Sequence, residues 1–247
     1  FADTKTQGVD LLMNFKVLDK ELKWNQMLIF NWLKEEVTGY EVKALPVQYT
    51  GFGGGGETFP APLTGYPLFS IFSFPWAGLD GDTGDPLGLE DGEPSTNYNA
   101  ILNSTPVEDL VYHGSARPTV FGSWMNNFAW RGFSLSVNIS YRMGYFVRRQ
   151  TLVYNNLYLG GIIHGDYAKR WMAPGDEALT TVPSFPQGQV SNRDNFYNRS
   201  EIMVIPGDHI RLQDVRLGYS LESRKVLGIG FRSLEVYGYA NNLGIIW

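Results

Sequence analysis

The sequence predicts an all-β fold, with about six long strands of an antiparallel up-and-down transmembrane β-barrel, a portion of a larger barrel, carrying long extracellular loops. Three observations predict it. Apolar and polar residues alternate with period two over long stretches, which suits a half-buried strand and no helix. Short and long connections alternate along the chain, the rhythm of a barrel with short periplasmic turns and longer extracellular loops. Finally, 43% of the 247 residues are hydrophobic, 15% aromatic and only 18% charged. No apolar run approaches the roughly 18 residues of a transmembrane helix, but a spanning strand needs only about 9–11 residues of alternating polarity.

The strands follow in order. Val9, Leu11, Met13, Phe15 and Val17 share one face, with Asp10, Asn14 and Lys16 opposite. Trp24, Leu28, Phe30 and Trp32 line the next, interrupted by Gln26. Lys23, Asn25, Asn31 and Glu35 oppose them, interrupted by Met27, Ile29 and Leu33. Val120, Trp124, Phe128 and Trp130 oppose Ser123, Asn127 and Arg131. The clearest alternation runs from Phe133 to Arg148, with apolar or aromatic residues at the odd positions and mostly polar or small ones at the even positions. Between Ile210 and Tyr219 the phase slips, which predicts a bulge near Gln213-Asp214. Leu234, Val236, Gly238 and Ala240 make a last, weaker strand, with Glu235, Tyr237 and Tyr239 on its other side.

Asp19-Lys20-Glu21 and Arg131-Gly132 are tight turns, and Glu222 to Arg232 is a modest connection. The long connections are roughly residues 38–118 and 149–207, too long for ordinary loops of a compact soluble domain. They are rich in Gly, Asp, Asn and Pro, including a run from Gly53 to Gly56, and such composition turns rather than packs. Within the first, Tyr66 to Phe74 reads as a short extra strand. No segment reads as an amphipathic helix. About six strands cannot close a barrel, of which the smallest has about 8. The whole of 1–247 therefore reads as one part of a larger barrel or of a split one. Its opening, Phe1-Ala2-Asp3-Thr4, carries no signal-peptide pattern and also reads as a piece of something longer.

Composition excludes several function classes. A net charge of −5 opposes nucleic-acid binding, which normally shows a basic patch. The absence of Cys removes disulfides, thiolate metal sites and Cys nucleophiles. His113, His164 and His209 share no metal spacing, no Gly-x-Ser-x-Gly elbow occurs, and Glu35 and Glu36 face opposite ways on a strand. No catalytic constellation or cofactor motif is present, so the chain reads as no enzyme. Asp80, Asp82 and Asp85 form a calcium candidate whose loop spacing fits an EF-hand poorly, and a Gly/Asp-rich turn explains them more simply. The Gly53–Gly56 run lacks the Lys-Ser/Thr of a phosphate loop. Three Asn-x-Ser/Thr sequons occur, at Asn103, Asn138 and Asn198.

Several pieces occur together in order. They are Gly65-Tyr66-Pro67-Leu68-Phe69-Ser70-Ile71-Phe72, then Trp76-Ala77-Gly78-Leu79-Asp80, then Thr83-Gly84-Asp85-Pro86. Gly114-Ser115-Ala116-Arg117-Pro118, Arg131-Gly132-Phe133-Ser134-Leu135-Ser136-Val137 and the run from Gly207 to Ser220 follow, then Leu234-Glu235-Val236-Tyr237 and Asn241-Asn242-Leu243. This series resembles the late part of SusC/RagA-type TonB-dependent outer-membrane transporters. The resemblance implies a barrel of about 22 strands around a plugged lumen. It also implies an integral position in the bacterial outer membrane and a SusD-like lipoprotein that lids the mouth. Oligosaccharides or peptides would be imported with energy delivered by TonB, through a segment absent from this chain. The partners so implied are the SusD-like lipoprotein, TonB, the remaining barrel and plug, and outer-membrane lipid.

Site expectations follow from the strand faces. Asn138, Arg142 and Arg148, on the polar face, are lumen candidates. Trp76 and Tyr98, in the first long loop, are candidates for touching cargo or lid. Trp124, Trp130, Tyr141 and Tyr145 are expected in the interfacial girdle or on the lipid face. Two alternatives stand beside the transporter. One is a non-transporting SusC-like scaffold of an outer-membrane complex, and the other is a secreted carbohydrate-binding β-sandwich.

Overall fold

A computed structural model describes residues 2–42, 44–51, 60–161, 164–226 and 229–247, with side chains described outside 222–232. The Gly53–Gly56 run lies outside the described residues. In chain order, β1 (Ala2–Asp19) and β2 (Leu22–Tyr40) come first. The first long connection carries α1 (Pro46–Thr50), β3 (Ser70–Ser73), β4 (Gly78–Leu79), β5 (Pro86–Glu90), β6 (Glu93–Ser95), α2 (Tyr98–Ser104) and β7 (Val111–Ser115). Next come β8 (Val120–Trp130) and β9 (Phe133–Met143). The second long connection carries β10 (Phe146–Arg148), α3 (Tyr154–Tyr158), α4 (Ser191–Arg199) and β11 (Val204–Pro206), ahead of β12 (His209–Val226) and β13 (Ile229–Ile245). Among the described residues no helix is long and apolar enough to cross a membrane.

The six long strands pair in the order β1-β2-β8-β9-β12-β13, so each neighbour in the sheet is the next long strand in sequence. The sheet is antiparallel and open, with β1 and β13 at its edges. Local chemistry sets the turns. Arg131 (φ 48°) and Gly132 (φ 89°) both take positive φ, as a two-residue hairpin matched to the strand twist requires. Arg131 also pairs with Glu21, tying this turn to the Lys20-Glu21 turn between β1 and β2. The bulge is where the phase slip placed it, since the register of β12 shifts between Leu212 and Asp214 against both β9 and β13. The modest connection at 222–232 is shorter than the composition implied, because β12 runs to Val226 and β13 starts at Ile229.

One feature of the register depends on a missing Cβ. Gly122 of β8 stands opposite Tyr141 of β9. The Tyr141 hydroxyl donates to the Ile29 carbonyl of β2 at 2.9 Å, so the side chain reaches over the strand between them. A Cβ at Gly122 would meet both the Ile29 carbonyl and, at 2.6 Å, that hydroxyl. Gly122→Val is therefore expected to destabilise the sheet by about 1–3 kcal/mol through overpacking. The shift would be read as a lowered denaturation midpoint of the detergent-folded protein.

The strand from Phe133 is shorter than its alternation predicts. β9 ends at Met143, because Gly144 turns the chain at φ 72°. The Asp208 carboxylate accepts from the Gly144 and Tyr145 N–H groups at 2.8 and 3.3 Å, which fixes the turn. Phe146–Arg148 then pairs separately, with Val204–Pro206.

Two compact units result. The first comprises Phe1–Lys5, Glu35–Arg117 and Phe146–Pro206, and the second Thr6–Lys34, Pro118–Tyr145 and Gly207–Trp247. The second is sheet. The first contains nearly all of both long connections, and it packs. Tyr49, Phe72, Phe74, Tyr98, Ile101, Leu102, Leu110 and Phe196 form one buried cluster, and Leu152, Tyr154 and Val182 a smaller one. Among the described residues, four short α-helices lie in stretches where the sequence shows no helical period. Each is 5 to 9 residues long, too short for a 3.6-residue repeat to declare itself. Of the extra strand expected over Tyr66 to Phe74, only Ser70–Ser73 forms one, β3, paired with β7.

Candidate functional site

Residues opposite one another across antiparallel strands share a face, so the register sorts the sheet's side chains. Phe133, Leu135, Val137, Ile139 and Tyr141 of β9 oppose Trp130, Phe128, Asn126, Trp124 and Gly122 of β8. On their other flank they oppose Tyr219, Leu217, Val215, Leu212 and Ile210 of β12. Trp124, Trp130, Leu217 and, on β13, Val236 are 41, 45, 55 and 66% exposed, so this apolar face is open. Trp124, Trp130 and Tyr141 lie on it. Tyr145 lies beyond the end of β9, with its hydroxyl 3.1 Å from His209 Nδ1 and its ring over Gly207. The polar interruption at Gln26 has a partner. Gln26 Nε2 and Trp24 Nε1 donate to Asn126 Oδ1 at 2.9 and 3.1 Å, so the amide set into the apolar face is satisfied from the neighbouring strand.

The opposite face is polar. Ser134, Ser136, Asn138 and Arg142 oppose Gly218, Arg216, Asp214 and His209. Asn138 Nδ2 donates to Asp214 Oδ2 at 2.9 Å beside the bulge, and Arg216 pairs with Glu235 at 2.6 Å.

Arg148 is a correction. The turn at Gly144 removes it from this face and puts it inside the first unit, 6% exposed. There it donates to the Phe72 carbonyl at 2.6 Å and to Ser73 Oγ at 3.3 Å. Burial, with Arg199 nearby, lowers its guanidinium to about 10. Tyr98, at 8% exposed, packs in the core, its hydroxyl donating to the Pro86 carbonyl. Burial and then the Asp85 carboxylate push its phenol upward. Trp76 is half-buried, stacked on Phe196 with ring centres 6.2 Å apart. Burial also pushes the Tyr197 hydroxyl up to about 12.

The three calcium-candidate aspartates do not converge. Asp80 Oδ1 accepts from the Asp82 and Thr83 N–H groups and from the Thr83 hydroxyl, closing the turn. Asp85 pairs with Arg193 at 2.6 Å. No group of three or more His, Asp or Glu able to hold a metal occurs among the described residues. The Asp85–Arg193 pair is a structural element that sequence reasoning missed, since it joins residues 108 apart. The guanidinium, 2% exposed, also donates to Ser184 Oγ and its carbonyl. Asp85→Ala leaves that cation without its counter-charge. Because Asp85 is itself a third exposed, the expected loss is about 2–3 kcal/mol, below the roughly 3–5 kcal/mol of a fully buried pair. Faster limited proteolysis of the first unit would report it.

No family model matches the chain, and no curated protein does. Solved structures do. A chain of the RagAB peptide importer in its open-open state matches with TM-score 0.67 and 21% identity, over 100% of this chain and 26% of that one. The chain has the fold of part of RagAB. A second structure, of the RagAB peptide transporter, gives TM-score 0.67 at 21% identity over 99% of this chain. The closed-closed RagAB importer gives 0.65 at 22% identity, again over 99%. The chain spans 26% of the length of each RagAB chain. At these identities the likeness to RagAB is one of fold, and it covers both units.

Proposed function

We propose that the chain is the C-terminal barrel portion of a SusC-like TonB-dependent transporter in the bacterial outer membrane. The complete protein would import oligosaccharides or peptides with a SusD-like lid lipoprotein. In this reading the apolar sheet face meets lipid and the polar face lines the lumen or meets the plug. The open edges β1 and β13 continue into further strands, and the first unit is built from extracellular loops.

One observation carries the reading: a continuous apolar face across the β8-β9-β12 sheet is open, in a chain whose fold matches part of RagAB. A soluble protein covers such a face, because exposed apolar patches beyond a few hundred Å² invite association. The secreted β-sandwich predicts the reverse, with that face packed under a second sheet.

The test uses the complete protein in its native host. Membranes are fractionated, the protein is solubilised in detergent, and its intact mass and co-purifying partners are measured. A mass several times 27.8 kDa, with a lipoprotein partner, is expected. Recovery in the soluble fraction without detergent would overturn the assignment.

A further inference from the structure

β3 and β7 belong to the first long connection and β10 to the second, and one buried oxygen joins all three. Ser73 Oγ, on a residue 0% exposed, accepts from Arg148 Nη2 at 3.3 Å and lies 3.1 Å from His113 Nε2. His113 reaches it because β7 bulges there. The register passes from Tyr112, opposite Phe72, to Gly114, opposite Ile71, so His113 has no partner across the ladder. An extra residue of this kind re-aims a side chain. The imidazole also lies against the Phe146 ring of β10, with centres 6.1 Å apart. Phe146 in turn fills the space that a Cβ at Gly114 would need, 2.8 Å from its ring.

Donors and acceptors fix the charge of the ring. A guanidinium only donates, so Ser73 Oγ accepts from Arg148 and its single proton goes to His113 Nε2. Nε2 can take that proton only in a neutral imidazole whose own hydrogen is on Nδ1. Among the described residues these are the hydroxyl's two hydrogen-bond partners. A protonated ring would turn Nε2 into a donor and leave the Ser73 proton without an acceptor, in a place closed to water. It would also set a second cation against Arg148, 6% exposed, across one oxygen atom.

The surrounding charges give the sign. Arg148 on β10 opposes a positive ring, and Glu201, in the turn after α4, favours one. Glu201 is engaged elsewhere, its Oε1 accepting from the Trp76 N–H at 2.8 Å. β3, β7 and β11 carry no other charged side chain, and burial pushes the neighbouring Tyr112 phenol upward, so it stays neutral. Burial first, and Arg148 second, therefore lower the imidazole from its usual 6.5. A group lowered in this way supports the fold fully above about pH 6.5 and progressively less as the pH falls below it. We infer that Ser73, His113 and Arg148 form an acid-sensitive latch, which holds the two long connections together while His113 is neutral and loosens β3 and β7 from β10 when His113 gains a proton. The latch lies wholly within the first unit.

The experiment uses the complete protein in detergent. Backbone hydrogen exchange is read by mass spectrometry on peptides covering β3, β7 and β10, at about pH 7.5 and about pH 5.5. Each rate is taken relative to the same peptide of His113→Gln, whose amide oxygen can accept from Ser73 and never charges. The intrinsic effect of pH on exchange then cancels. Wild type is expected to match the variant at the higher pH and to exchange several-fold faster at the lower, with β8 and β9 unchanged. His164, whose ring faces Asp166 at 3.4 Å, is the control, and His164→Gln is expected to keep the wild-type response. A second readout needs no variant. Deuterium exchange at the imidazole C2 carbon follows a ring's own titration, and His113 is expected to titrate below the usual 6.5. Equal exchange of β3 and β7 in wild type and His113→Gln at about pH 5.5 would overturn the latch. So would an acid response abolished by His164→Gln, or a His113 ring that titrates at or above the usual value. Should His113→Gln open at both pH values, the titration of the ring decides alone.

Discussion

Phe196→Ala is expected to destabilise the first unit by about 3–5 kcal/mol, the range for truncating a fully buried aromatic. The ring is 0% exposed and sits among Phe74, Trp76 and Tyr98, with ring centres 6.2, 6.2 and 5.7 Å away. Its neighbours come from separate parts of the first long connection, while Phe196 belongs to α4 in the second. Removing it opens a cavity at the point where the two connections pack together. Gly88 shows how little slack exists there, since a Cβ at that position would meet Phe196 at 2.7 Å and Ile101 at 2.9 Å. The check is limited proteolysis of the complete protein, with cleavage within the first unit accelerated while the strands stay protected. Equal proteolysis of wild type and variant would mean that the packing does not hold the connections together.

The second large effect is expected on the sheet. Ile139→Lys puts a charge on the apolar face, between Trp124 of β8 and Leu212 of β12. If that face meets lipid, the cost near mid-membrane is about 2–4 kcal/mol. Asn138→Lys, one residue away, points to the other face, where Asp214 stands opposite and offers a counter-charge. The pair of variants therefore isolates the face from the position. Ile139→Lys should lower the amount of folded, heat-modifiable protein in the outer membrane several-fold, and Asn138→Lys should leave it near wild type. Equal losses in both would overturn the lipid-facing assignment.

The strands were legible because each obeys a rule of local order. Alternation places Leu135, Val137 and Ile139 on one face whatever else the chain does, because successive side chains in a strand point to opposite sides. The slip between Leu212 and Val215 announces a bulge for the same reason, and the structure has its register shift there. Arg131-Gly132 reads as a turn from Gly alone. Where alternation misled, the cause was a single residue. The odd–even pattern continues from Met143 through Tyr145 to Val147, but Gly144 takes a positive φ, and Arg148 ends up in a core instead of on a strand face.

The long connections were opaque for a different reason. Their composition, rich in Gly, Pro, Asn and Asp, reports where the backbone turns and says nothing of which side chains meet afterwards. Phe196 finds Phe74, Arg193 finds Asp85, and Arg148 finds the Phe72 carbonyl, across separations of roughly seventy to more than a hundred residues. No local period encodes such contacts. The sequence by itself determined the long strands, their faces and the bulge, because strand geometry is a property of neighbours along the chain. Only the tertiary structure decided that the connections pack and that Tyr98 and Arg148 are interior. Burial and pairing there depend on segments that meet only after the chain has folded.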